Sequence, residues 1–138
     1  MKRQMLLILA VILCAAGCGK ESPATSEARS FYREMIQQTN EYANRLAQVK
    51  DSKAAAETLG KYIEVQKKLI EKGRELRMKY PKINLHEDPA LREYETALED
   101  ASKNMTAAVT DAMRKYLSKD EFRKALSRFD EIAGEAEK

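Results

Sequence analysis

From Tyr32 onward, apolar and aromatic residues recur at alternating intervals of three and four, and that period admits a helix and little else. Tyr32, Met35, Thr39, Tyr42, Leu46 and Val49 share one stripe, because seven residues bring a helix back to nearly the same side after two turns. The pattern predicts a first helix over about residues 26–50. Asp51-Ser52 interrupts it with two side chains suited to accept from the free amides of a helix start. Lys53-Ala54-Ala55-Ala56-Glu57 follows with strong helix formers. Leu59, Tyr62, Ile63, Gln66, Leu69, Ile70, Leu76 and Tyr80 make a second stripe that Pro81 must end, since proline lacks an amide donor and disfavours helical geometry in the residue before it.

Residues 81–88 form the one substantial loop of the body. Asp88-Pro89 restarts the chain with a capping carboxylate followed by a proline whose missing amide costs nothing at a first helical position. A third stripe then runs through Leu91, Tyr94, Leu98, Ala101, Met105, Ala108 and Ala112, widened by Val109, Met113 and Tyr116. Its alanines invite close approach by a neighbouring helix. Ser118-Lys119-Asp120-Glu121 has the form of a capping box ahead of a fourth stripe at Phe122, Leu126, Phe129 and Ala133. No run of alternating β-branched residues argues for a sheet. The expected fold is all-α: an antiparallel helical bundle of three long helices plus a shorter fourth, with coiled-coil-like packing. The alternative, an elongated coiled coil, requires Asp51-Ser52 and Leu117-Ser118 to be kinks rather than turns. The two capping signals favour turns.

The first seventeen residues obey a different rule. Met1-Lys2-Arg3-Gln4 is basic, Met5 to Ala16 is apolar, and small residues precede Cys18, which is the layout of an export signal. The apolar run is too short to span a bilayer, which takes about 20 residues. Ala15-Ala16-Gly17-Cys18 resembles the lipobox of bacterial lipoproteins, with Ala15 where a large aliphatic residue is usual. That resemblance implies removal of residues 1–17 and a diacylglycerol on the Cys18 sulfur. Because Gly19 rather than Asp follows the cysteine, it also implies the periplasmic side of the outer membrane in a Gram-negative source. The rival reading is ordinary secretory cleavage, which would leave Cys18 as a lone thiol in an oxidising compartment.

Cleavage alters the composition. The net charge of +3 includes Lys2 and Arg3, so the mature 121 residues hold 23 basic against 22 acidic side chains. Nothing global then favours nucleic acid, which asks for a strongly basic domain or face. Cys14 leaves with the signal, so no disulfide is available to the mature fold, yet 121 residues are enough for one packed domain. The expected organisation is a signal over 1–17, a lipidated cysteine with a short polar tether over 18–26, and a helical domain over 27–138.

Charge is unevenly placed. Residues 60–82 carry eight basic side chains against three acidic, whereas 87–100 carry six acidic against Arg92. The expectation is an antiparallel hairpin in which the basic end of helix two lies beside the acidic start of helix three, each complementing its own helix dipole. The competing use of the lysines is to bind anionic lipid headgroups or an acidic partner.

Catalytic groups are scarce. His86 is the only histidine, in Asn84-Leu85-His86-Glu87-Asp88, and one imidazole with no thiol other than the anchor falls short of the three or four ligands that zinc needs. A di-iron bundle would need a histidine on each of two helices. Neither Gly-x-Ser-x-Gly nor a glycine-rich phosphate loop is present. The six tyrosines, at 32, 42, 62, 80, 94 and 116, fall mostly on the stripes, as core aromatics with a polar edge. The sequence therefore predicts no catalytic, cofactor or metal residues, and Cys18 as the one site, for lipidation. The expected function is a non-enzymatic envelope lipoprotein, attached to the membrane through Cys18. Its bundle would engage an envelope protein or a second copy of itself. The alternative is a small-molecule or lipid-binding bundle of the periplasm.

Overall fold

The computed structural model describes residues 21–82, 84 and 87–136. The signal segment 1–17, Cys18, Gly19 and His86 lie outside the described residues, as does the side chain of Ala133. Among the described residues there are four α-helices and no strand: α1 Pro23–Gln48, α2 Ser52–Lys79, α3 Arg92–Tyr116 and α4 Asp120–Ala136, with one 3-10 turn at Pro89–Leu91 leading into α3. The expected all-α bundle of three long helices and a shorter fourth is what forms.

Sequence-local signals set most helix ends. Asp51 caps α2 by accepting from the Ala54 amide at 2.8 Å, and α2 stops at Lys79, just before Pro81. Asp88 accepts from the Ala90 amide at 2.9 Å, so Asp88-Pro89 starts a helical segment as its composition implies, although its first turn is 3-10. Two boundaries differ from expectation. α1 begins at Pro23, so residues 23–26 are helix and not tether: Ser22 Oγ accepts from the Thr25 amide at 3.1 Å and Pro23 takes the first position, the arrangement of Asp88-Pro89 repeated. At the fourth helix, Glu121 does not close a capping box on Ser118. Its carboxylate accepts from Ser52 Oγ at the start of α2, which pins the two helix starts together and holds Glu121 below the usual carboxylate range.

Three-residue connections at 49–51 and 117–119 reverse the chain, so consecutive helices run up, down, up, down. The closest packing is between helices of like direction. Thr25 meets Asp88, Tyr32 meets Glu95, Asn40 meets Asn104 and Tyr116 meets Val49, with sequence offsets of 63, 63, 64 and 67, so α1 and α3 run parallel. α4 lies parallel to α2 by the same token, through Ser52 with Glu121 and Glu64 with Arg128. α1 packs antiparallel on α2, whereas α2 and α3 scarcely touch. Small side chains explain the choice: Ala28 and Ala43 on α1, with Ala101, Ala108 and Ala112 on α3, are buried and leave room for backbones to close. The close approach foreseen for the alanine-rich helix is made, and its partner is α1.

Because α4 is short, it covers only the first half of α2. One end of the molecule is therefore a four-helix core, with Leu46, Leu59, Tyr62, Met105, Val109 and Phe122 in one cluster. The other end is a three-helix core around Ala28, Tyr32 and Leu91, flanked by Met35, Leu76, Tyr94 and Leu98. Phe122, Leu59, Ile63 and Leu91 are the largest fully buried side chains, each contributing roughly 1.5 to 3 kcal/mol by leaving water.

Candidate functional site

The start of α1, the end of α2 and the start of α3 meet at one pole, and this pole lies nearest in sequence to Cys18. Its polar groups are interlocked. Ser22 accepts from the Thr25 amide, and its hydroxyl lies 2.8 Å from Thr25 Oγ1. Thr25 in turn donates to Asp88 Oδ2 at 2.6 Å, while Asp88 Oδ1 holds the Ala90 amide. One carboxylate thus caps the entry to α3 and ties it to the cap of α1. The Thr25 hydroxyl, then the Ala90 amide, hold Asp88 below the usual carboxylate range.

The charges of α1 explain why α2 and α3 need not meet. Glu27 and Glu34, seven residues apart, lie on the side facing α2 and bind Lys79 at 2.6 Å and Lys72 at 2.7 Å. Tyr80 adds a donor to Glu27 at 3.0 Å. Hydrogen bonds from Lys79 and then Tyr80 lower the Glu27 carboxyl, and the same carboxylate raises Lys79. On the side facing α3, Arg29 and Arg33 lie over the Tyr94 ring at 5.8 and 5.6 Å, and Arg33 donates to the Tyr94 hydroxyl at 3.0 Å. The hairpin in which acids of helix three neutralise the basic end of helix two is accordingly not the arrangement found. α1 lies against both, meeting the lysines of α2 with carboxylates and meeting α3 through its arginines on Tyr94 and the Tyr32 hydroxyl on Glu95. The signal was present in the sequence as Glu27 and Glu34 at one heptad spacing, with Arg29 and Arg33 on another face.

Much of α2's basic charge is left over. Lys67 pairs with Glu64 at 3.3 Å, and Arg128 reaches the same carboxylate at 3.2 Å. Lys61, Lys68, Arg74, Arg77 and Lys82 are exposed and have no ion pair among the described residues. Met78 stands among them with 73% of its surface in water, the most exposed large apolar side chain described.

The tyrosines are absorbed by packing and internal hydrogen bonds. Tyr32 donates to Glu95 at 3.3 Å, Tyr62 shares a buried hydrogen bond with Thr39 at 3.3 Å, and Tyr116 donates to the Val49 carbonyl at 3.4 Å. Burial, then the Glu95 charge, pushes the Tyr32 phenol up to about 12, and burial raises Tyr62. The Tyr42 and Tyr62 rings pack tilted with centroids 5.5 Å apart, and Phe129 of α4 lies 6.1 Å from Tyr62. The clefts that remain are open to solvent. One of about 420 Å³ between α1 and α2 is lined by Ser26, Ser30, Phe31 and Leu76 and rimmed by the Glu27 and Glu34 ion pairs. Another of about 200 Å³, where α4 ends against α2 and α3, is lined by Tyr62, Ile70, Met105, Phe129 and Ile132.

Among the described residues, no group of three or more His, Cys, Asp or Glu is placed to hold a metal, and no helix is long and apolar enough to cross a membrane. No protein-family model, curated protein or solved structure matches the chain.

Proposed function

We propose that the chain is an exported lipoprotein, anchored through acyl chains on Cys18, whose helical domain acts without catalysis as an interaction or structural module beside the envelope membrane. One observation carries this reading: α1 is capped by Ser22, only four residues after Cys18. Four extended residues reach roughly 14 Å, so the bundle would begin at the bilayer surface with almost no tether. The interlocked pole at that end, built by Thr25, Asp88, Glu27 and Lys79, suits a domain whose attachment point must transmit its orientation. Internal bonding of the tyrosine hydroxyls favours packing as their role. In a Gram-negative source, Gly19 directs the protein to the periplasmic side of the outer membrane, and its partner is an envelope protein or a second copy.

Cys18→Ser tests the anchor. The wild-type chain should sediment with membranes and float with them in a density gradient, while the variant is released. A variant that still partitions with membranes sinks the lipid-anchor reading. Affinity capture from detergent-solubilised envelope tests the module: a specific partner or a dimeric hydrodynamic size is expected, and a monomer that captures nothing specific argues against it. The second reading, a small-ligand bundle, is supported by the apolar cleft between α2, α3 and α4. Its volume of about 200 Å³ lies below the roughly 300 to 1,000 Å³ usual for such sites.

A further inference from the structure

We infer that the exposed face of α2 near its C-terminus docks on an anionic bilayer surface, so that the domain rests against the membrane on that face; the inference builds on the Cys18 anchor proposed above. Three observations converge. First, this face keeps its charge. α1 neutralises Lys72 and Lys79, but Arg74, Arg77 and Lys82 have no ion pair among the described residues; of the α3 acids, Glu95 accepts from Tyr32 of α1, and Glu99 and Asp100 pair with Lys103 of α3 itself. Glu71 and Glu75, likewise without an ion pair among the described residues, are the acids of the same stretch, so with Lys72 and Lys79 paired the unpaired side chains of residues 71–82 are three basic against two acidic. Second, Met78 is 73% exposed one turn after Arg74. A flexible apolar side chain framed by cations is suited to enter the headgroup layer, while the long stems of Arg and Lys lie along it with their charges toward phosphate. Third, the face is at the anchored pole. Glu27 of the first turns of α1 binds Lys79, so the start of α1, the described part nearest in sequence to Cys18, lies beside the end of α2.

Electrostatic attraction of each basic side chain to an anionic leaflet is modest and decays within a Debye length of about 8 to 10 Å. The free domain would therefore bind weakly. An anchor reaching roughly 14 Å removes most of that cost, because it holds the face at high effective concentration over the lipid. The far pole has its own exposed apolar residue, Leu117 at 45%, which the anchor does not bring to the surface.

The chain contains no tryptophan, so a single Trp can report contact. The lipidated full chain carrying Met78→Trp is reconstituted on vesicles of phosphatidylcholine alone, or with one third phosphatidylglycerol. A Leu117→Trp chain serves as the far-pole reporter. On the anionic vesicles, Trp emission from position 78 should shift to shorter wavelength and be quenched by brominated lipid, and both signals should fade at high salt. Position 117 should show neither. Replacing Arg74, Arg77 and Lys82 with Gln should lower the docked-to-free ratio roughly a hundredfold. The same change at Lys50, Lys53 and Lys115, at the other pole, should leave it unaltered. If vesicles float the protein but Trp at 78 reports water on both compositions, docking is refuted while the anchor stands. Equal shifts at 78 and 117 refute it as well. A chain that does not float lacks the anchor, and the docking built on it falls too.

Discussion

Two glycines on one helix offer a sharp check on the packing. Gly60 and Gly73 both lie within α2, where alanine is intrinsically better by about 0.8 to 1 kcal/mol. Sequence alone assigns Gly→Ala the same gain at both. The structure separates them. A Cβ at Gly60 meets nothing within 4 Å, whereas one at Gly73 comes 3.2 Å from Phe31 Cζ, a tight contact, with Cε1 at an ordinary 3.6 Å. Phe31 is half-buried at the edge of the α1–α2 cleft, so it can yield, but inserting a methyl under a packed ring costs about 1 kcal/mol at the low end of overpacking. Gly60→Ala should therefore stabilise by nearly the full 0.8 to 1 kcal/mol, raising the melting temperature by a few degrees. Gly73→Ala should be close to neutral. Urea unfolding followed by circular dichroism resolves the difference if the slope is unchanged. Phe31→Leu, which removes the offending ring carbon, should restore the gain at Gly73 and leave Gly60 unaffected. Equal gains at the two glycines, or no coupling between positions 31 and 73, would show that α1 does not pack on α2 in this register.

Other outcomes follow from the core and from the buried phenols. Phe122 is fully buried, with its ring 6.1 Å from that of Tyr116, so Phe122→Ala should cost about 3 to 5 kcal/mol; a loss below about 1 kcal/mol would mean that α4 is not seated on the bundle. At alkaline pH the folded state holds the Tyr32 proton up to about 12, while the unfolded chain releases it near 10, so the stability this group contributes is complete below pH 10 and is lost as pH rises toward 12. Tyr32→Phe should flatten the decline in stability between pH 10 and 12, with part remaining because Tyr62 is raised as well. Parallel curves for the two proteins would place Tyr32 in solvent.

What could be read along the chain was whatever depends on neighbours a few residues away. Stripe residues Tyr32, Thr39, Tyr42, Leu46, Leu59 and Tyr62 are buried as their spacing requires, and Asp51, Asp88 and Pro81 mark ends because capping and amide loss are local effects. Ser22-Pro23 carried the same signal as Asp88-Pro89, but the proline read as part of a tether. The lipidation proposed at Cys18 rests on the sequence from Met1 to Cys18 and on no fold.

Which helices embrace was a different kind of question. Every stripe offers an apolar face, and an apolar face does not name its partner, because burial rewards area and not identity. Charge placement favoured the sequence neighbours α2 and α3. Matching small residues on α1 and α3, separated by more than sixty positions, decided otherwise. That choice had an electrostatic result no local reading contained: α1 lies against α2 and α3 with acids on one side and arginines on the other, so the basic end of α2 is not spent on the acidic start of α3. The sequence by itself determined the helices and most of their ends. Tertiary structure decided their pairing, and through it which charges remain free at the pole where α1 begins and α2 ends, because charges cancel across space and not along the chain.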